Sequence, residues 1–251
     1  MRAGMLAGKV CVVNGAASTI GQAVAGRFQR DGGVVVGVDQ VDHVVGDQVI
    51  QADLTDEDQV RAMYDQVVRE HGRLDVIHNN TGLMGAGDGS ALDIDLETWR
   101  RIQDANLTSI FLCCKHGIPH LRNTEPAGGS VINSASFLAA VGSATAPMAY
   151  AAAKAGVVQL TRDLGVHLAR SGVRVNAVLF GPIETPAQRA VFDRSPGALD
   201  ARLVHWPMGR FGTLDEAAGA IAFLAGDDSG FITGAALPLD GGITEAFTVP
   251  G

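Results

Sequence analysis

Cysteine is scarce: Cys11, Cys113 and Cys114 are the only three in 251 residues. Their odd number and spacing fit neither a disulfide framework nor a zinc site. The chain reads as carrying buried free thiols in a reducing compartment. Positive charge is short as well. Nineteen basic residues face 27 acidic ones, for a formal net charge of −8, and no basic cluster stands out. Nucleic acid and anionic membrane are therefore not expected as partners. No apolar run reaches the length of a membrane span. The apolar stretch near the N-terminus is brief and broken by Lys9, so no signal peptide is expected and a soluble cytoplasmic protein is. Repeats, linkers and low-complexity tracts are also missing, and residues 1–251 read as a single domain. No metal site is foreseen.

Apolar residues (47%) and 32 glycines are abundant. Short β-branched runs fall at Val10–Val13, Val34–Asp39, Val49–Ala52, Leu74–His78, Ser130–Asn133, Val173–Leu179 and Ala235–Leu239. Several are apolar on consecutive positions, as strands covered on both faces must be. Helical patterns separate them near 20–30, 56–70, 98–121, 148–170 and 214–225. The alternation predicts an α/β fold: a doubly wound, parallel, seven-stranded sheet with helices on both faces, of the Rossmann type. Two places break the rhythm. Only nine residues separate Asp39 from Val49, so a helix there is one turn or absent. Residues 186–210, with prolines and weak periodicity, read as a lid or binding loop over a substrate.

The first strand runs into "VVNGAASTIGQAVAGRF". Gly15 follows the strand and Gly21 opens the helix, a turn that gathers backbone N–H groups where a pyrophosphate can sit. The stretch departs from G-x-G-x-x-G, and an ordinary βα turn is the alternative. Asp39 ends the second strand 24 positions after Gly15. A carboxylate there can accept from an adenosine ribose and would repel a 2′-phosphate. No Lys or Arg occurs in 31–60 to attract one, which favours NAD over NADP.

Residues 148–156, "MAYAAAKAG", are built of strong helix formers, so Tyr150 and Lys154 share one face. A snorkelling lysine beside a half-buried tyrosine is the bland reading. The chemical reading is an acid–base pair. A free phenol has a pKa of ~10, and a nearby cation favours the phenolate. A unit charge pair at 4 Å is worth ~4 kcal/mol at an effective dielectric of 20, enough to bring the phenol toward neutrality.

With "NGAASTIG", "ADLT", "HNNTG", "YAAAK" and "NAVLFGPIETP" in this order, the chain resembles the short-chain dehydrogenase/reductase family, in its single-domain, NAD-preferring form. The resemblance spans Lys9 to the closing "LPLDGG". It implies that Gly15, Ser18, Thr19, Ile20 and Gly21 lie at the pyrophosphate turn. Asp39 would hold the adenosine ribose, and Asp53 and Leu54 would flank the adenine. Asn80 and Gly82 would lie on the adenosine side of the cofactor. Asn106 matches an asparagine supporting a proton-relay water, and Ser136 a serine that binds the substrate oxygen. Tyr150 and Lys154 match the acid–base pair, with Lys154 also on the nicotinamide ribose. Ile183 and Thr185 would bind the nicotinamide carboxamide, and Gly181 would also contact the cofactor. Ser134 competes for the serine role, but Ser136, 14 residues before Tyr150, fits the family spacing better. Asn14, Thr19 and Phe180 depart from the usual threonine, glycine and proline; asparagine can likewise bond locally in a turn, and Phe180 leaves the conformation of the "FGPIET" turn open while Gly181 and Pro182 remain.

The resemblance implies an NAD-dependent alcohol dehydrogenase or carbonyl reductase, assembled as a homotetramer. Candidate pocket walls are Phe137, Leu138, Val141, Met148, Phe192 and Trp206, which suit a secondary alcohol or ketone with an apolar body. Arg189, Arg194 and Arg202 read either as anchors for a carboxylate or phosphate or as solvated loop charges, and His205 as structural. The tail "ITEAFTVPG" would contact a neighbouring subunit. Two alternatives stand: a 3-oxoacyl-thioester reductase using NADPH, against which Asp39 counts, and a non-catalytic dinucleotide sensor or scaffold, against which the intact serine, tyrosine and lysine count.

Overall fold

The computed structural model describes residues 4–42, 44–85, 87–124, 128–143, 145, 147–193 and 197–246. Arg194 and residues 247–251 of the tail therefore lie outside the described residues. Seven strands are assigned: β1 (Val10–Asn14), β2 (Val34–Asp39), β3 (Gln48–Gln51), β4 (Val76–Asn79), β5 (Gly129–Ser136), β6 (Val173–Phe180) and β7 (Ala236–Leu239). They form one parallel sheet in the order β3-β2-β1-β4-β5-β6-β7. The order reverses between β1 and β4, and such a reversal opens a crevice at the carboxyl ends of the strands.

Alternation on each strand feeds two cores. On β1, Val10 and Val12 pack under α2 (Glu57–His71), α4 (Ser109–Asn123) and α5 (Met148–Leu168). Cys11 and Val13 face α1 (Thr19–Arg30) and α8 (Leu214–Ala225) on the other side. All three cysteines are buried and free. Caps fix where helices start: Ser18 for α1, Asp56 for α2, and a Thr213–Glu216 capping box for α8. Among the described residues no helix is long and apolar enough to cross a membrane.

Three local readings change. β4 begins at Val76: the backbone of Asp75 still bonds to Val10 O and Ser130 N–H, but its carboxylate takes the Val10 N–H (2.8 Å) from the strand ladder and pairs with Arg73. The helix expected over 98–121 is interrupted. It runs as α3 (Leu96–Gln103), a π-helical turn (Asp104–Thr108) and α4. Side chains take two carbonyls around the widened turn: Asn106 Nδ2 donates to Ile102 O (2.9 Å) and Ser109 Oγ to Ala105 O (2.9 Å). Residues 186–210 hold two short helices, α6 (Pro186–Asp193) and α7 (Ala198–Leu203), rather than an open loop. They enclose a small core of their own, in which Phe192, Trp206 and Phe211 meet edge to face at 5.0–6.2 Å.

The short β2–β3 connection has no helix among its described residues. Val44 and Val45 cover the sheet instead. Gly37 permits that close passage, since a Cβ there would lie 2.7 Å from Val45 O.

Candidate active site

Two adjoining clefts lie at the carboxyl ends of the strands, sharing Ser18, Asn80, Thr81 and Gly82. The smaller, about 210 Å³, is bordered by Gly15, Asp39, Gln40, Asp53 and Leu54. The larger, about 570 Å³, is bordered by Thr19, Ile20, Ser136, Tyr150, Lys154, Gly181, Ile183 and Thr185.

The turn after β1 depends on backbone that only glycine adopts readily. Gly15 has φ 75°, and a Cβ there would lie 2.5 Å from Asn80 O. Ser18 Oγ caps α1, accepting from Gly21 N–H (3.1 Å) and from Asn80 Nδ2 (2.7 Å). Gly21 is buried behind the turn and borders neither cleft. Asp39 accepts from the N–H groups of Ala17 (3.0 Å) and Gln40 (2.8 Å), so the end of β2 is tied to the turn while its carboxylate keeps lone pairs toward the cleft. Asp53 accepts from Thr55, whose hydrogen bonds hold its carboxyl below the usual range. Leu54 is buried. Among the described residues no Lys or Arg borders the smaller cleft.

At the other end, α5 presents Tyr150 and Lys154 on one face, with Lys154 Nζ 5.7 Å from the Tyr150 ring centroid. Lys154 is 3% exposed and donates to Thr81 O (2.9 Å) and Ser134 O (3.0 Å). Burial lowers its pKa to about 7. The expected lowering of the Tyr150 phenol is not a property of the folded chain alone. Burial pushes it up, and a hydrogen bond with Ser136 acts in the opposite direction. A lysine with a pKa near 7 is only partly charged at neutrality, which weakens its pull on the phenol.

The two serines of β5 separate. Ser136 borders the same cleft as Tyr150, where its hydroxyl acts to lower the phenol's pKa, and accepts from Leu138 N–H (3.2 Å). The Ser134 hydroxyl donates to Asn80 Oδ1 (3.0 Å) and lies 3.1 Å from Nε2 of the fully buried His78. Asn106 is buried in the π-helical turn. It donates to Leu83 O (3.0 Å) and accepts from Leu83 N–H (3.2 Å), which clamps the segment after β4 that carries Thr81 and Gly82. A Cβ on Gly82 would sit 3.2 Å from Asn106 Oδ1 and 3.5 Å from Lys154 Nζ, so its absence leaves a polar gap between them.

Phe180 extends β6 by one residue, paired with Ser136 and Leu239, and the turn that follows is intact. Ile183 bridges to Gly212, and Thr185 Oγ1 accepts from Gln188 N–H (3.1 Å) at the start of α6. Phe137, Leu138 and Trp206 border the larger cleft. Of the other expected walls, Phe192 is buried in the α6–α7 core and Met148 is exposed, with its sulfur toward Ala91 N–H; neither borders the cleft, nor does Val141.

Two arrangements escaped the sequence reading. Asn14, Asn79 and Asn133 lie in register on β1, β4 and β5. They form a buried ladder, Asn14 Nδ2 to Asn79 Oδ1 (2.8 Å), Asn79 Nδ2 to Asn133 Oδ1 (2.8 Å) and Asn133 Nδ2 to Thr161 Oγ1 (2.9 Å). Asn14 thus bonds across strands and to Tyr64 OH (2.9 Å), not within its turn. The signal was present: an asparagine closes β1 and β4 and recurs in register on β5. Asp88 is the second. Its carboxylate accepts from the N–H groups of Ala149 (3.1 Å) and Tyr150 (2.9 Å), capping α5 where Pro147 supplies no side-chain cap.

A hydroxyl pair over a buried ammonium, at the end of a cleft with a glycine turn, can bind a carbinol or carbonyl oxygen and exchange its proton. Comparison with known proteins agrees. The family model described as Enoyl-(Acyl carrier protein) reductase matches residues 15–244. The cis-4-hydroxycyclohexanecarboxylate dehydrogenase of Sinomonas cyclohexanicum is 39% identical over 247 residues, covering 94% of this chain and 96% of its own. The 3-oxoacyl-acyl-carrier-protein reductase of Thermotoga maritima is 33% identical over 250 residues, covering 95% and 98%. The ligand-free aldohexose dehydrogenase of Thermoplasma acidophilum superposes with a TM-score of 0.88 at 31% identity, covering 98% of each chain.

Proposed function

The chain belongs to the short-chain dehydrogenase/reductase family, an oxidoreductase family that binds a nicotinamide dinucleotide, and on that footing we propose that it interconverts a secondary alcohol and a ketone with NAD. The observation that carries this reading is the placement of Ser136, Tyr150 and Lys154 at one end of a cleft that continues to Asp39. The residues fit the dinucleotide. The Gly15 turn lets the backbone at Asn80 pack close and brings the start of α1 to the cleft, where N–H groups suit a diphosphate, and among the described residues the smaller cleft holds two carboxylates and no cation, which suits a ribose diol and opposes a 2′-phosphate.

When bound, the nicotinamide accepts or returns the hydride. The chain's residues do the rest. Ser136 donates a hydrogen bond to the substrate oxygen as its charge changes, and Tyr150 takes or returns its proton. Lys154 sits beneath the phenol, and in its charged form favours the phenolate. The gap at Gly82 suits a water, held by Asn106, that links Lys154 to solvent. Phe137, Leu138 and Trp206 exclude water and select an apolar body, in keeping with the alicyclic substrate named for the Sinomonas relative.

The test is a dehydrogenase assay over a panel of cyclic and acyclic secondary alcohols, with NAD and NADP in parallel. Turnover with NAD supports the proposal; faster turnover with NADP overturns the role of Asp39. The Thermotoga relative keeps a second reading in play, reduction of a 3-oxoacyl thioester with NADPH. Acetoacetyl-CoA with NADPH in the same assay separates the two.

A further inference from the structure

The larger cleft is lined by no carboxylate among the described residues, in a protein of formal net charge −8. Its ionisable lining consists of Tyr150, Lys154 and Arg202. Lys154 lies at the buried base and spends hydrogen bonds on Thr81 O and Ser134 O. Arg202 is different. It stands on α7, exposed, with its guanidinium carbon 5.9 Å from the centre of the Phe192 ring. The ring face steadies the cation without neutralising it. No acidic partner within ion-pair distance is found for it among the described residues, whereas the nearby Arg189 is paired with Glu184 and Arg210 with Glu216. Of the described arginines from 189 to 210, Arg202 alone both borders the cleft and keeps its charge available.

We infer that Arg202 is a specificity residue, and that the substrate is a hydroxy- or oxo-carboxylate whose anionic end it binds while the carbinol or carbonyl meets Ser136 and Tyr150. This rests on the oxidoreductase reading above and adds the substrate class. A guanidinium presents a planar fork of donors that matches a carboxylate two bonds at a time. A single fork, the one arginine bordering the cleft among the described residues, suits a monoanionic carboxylate better than a phosphate dianion. The apolar side chains Phe137, Leu138 and Trp206 of the same lining suit a ring or alkyl spacer between the two polar ends. The positive field of the cleft also draws an anion toward an otherwise acidic protein.

The experiment compares 4-hydroxycyclohexanecarboxylate with its methyl ester, which keeps the ring and the carbinol and removes the charge. The wild type should favour the acid by about tenfold or more in kcat/KM, the range of a charged hydrogen bond. Arg202→Gln should bring that ratio close to one, mainly by raising KM for the acid, and Arg202→Lys should restore part of it. NADH affinity, read by fluorescence titration, should stay within about twofold in both variants. A wild-type ratio near one overturns the inference and leaves the oxidoreductase reading standing. So does an equal loss on acid and ester in Arg202→Gln, or a loss of NADH affinity, which would assign Arg202 to the dinucleotide. If no alcohol in the panel is oxidised, the oxidoreductase reading fails instead. Calorimetry of cyclohexanecarboxylate with the NADH complex, wild type against Arg202→Gln, then judges Arg202 by itself: weaker binding in the variant supports it, equal binding sinks it.

Discussion

The carboxylate of Asp88 accepts from the backbone N–H of Tyr150 at 2.9 Å, across 62 positions of sequence. The same carboxylate takes Ala149 N–H at 3.1 Å, so one side chain satisfies two free donors at the start of α5. Asp88→Ala should lower stability by about 1 kcal/mol, the usual worth of a helix cap, and the melting temperature by roughly 2–4 °C. Turnover should fall as well, because the first turn of α5 sets the position of the Tyr150 ring. Asp88→Asn, which keeps an acceptor, should recover most of both. Unchanged melting and unchanged kcat in Asp88→Ala would remove the cap from the account.

Tyr150→Phe deletes a hydroxyl and little else. The expectation is a loss of turnover of about 10²-fold or more, the scale of general acid–base catalysis, with NADH affinity kept. Stopped-flow hydride transfer and a fluorescence titration of NADH read the two quantities separately. Retention of most of the activity would refute the assignment of the proton to this phenol.

Asp39→Ala removes a negative charge from the smaller cleft and leaves Ala17 N–H without its acceptor. The ratio of kcat/KM for NAD over NADP should fall by about tenfold, equivalent to ~1.4 kcal/mol. A ratio that stays constant would show that Asp39 takes no part in choosing the cofactor.

Lys154 gives a pH signature. Its pKa is lowered from 10.5 to about 7 by burial, so between those values the unfolded chain holds a proton that the folded chain lacks. Stability contributed by this group therefore rises with pH across that window. Urea unfolding of the cofactor-free protein at pH 7 and pH 9 should show wild type gaining on Lys154→Met, by at most ~1.4 kcal/mol per pH unit. Working with the difference cancels the buried cysteines and Tyr64, which are unchanged between the two proteins. A pH-independent difference would mean that the ammonium stays charged in its pocket.

Much of this architecture was legible from local spacing. Consecutive apolar positions gave five of the strands to within a residue at each end, β5 runs three residues further than expected, to Ser136, and the helix over 214–225 was placed to the residue. β4 and the helix over 98–121 were misjudged because side chains from elsewhere, or from within the turn, captured backbone groups: Asp75 claims Val10 N–H and Asn106 claims Ile102 O. Asn106 was singled out as a site residue, yet the π-helical turn that houses it has no signature in residue type.

What the sequence alone determined is the set of features that depend on the backbone's own periods. Four positions on a helix fix a common face for Tyr150 and Lys154; a glycine after a strand fixes the turn at Gly15; a carboxylate at a strand end fixes Asp39. Tertiary structure decided the rest, because charge state and pairing depend on which distant groups approach and how much water leaves. Only the fold shows Lys154 desolvated, Asp88 delivered to α5, the asparagines aligned across three strands, and Arg202 left in the cleft without an acid beside it among the described residues.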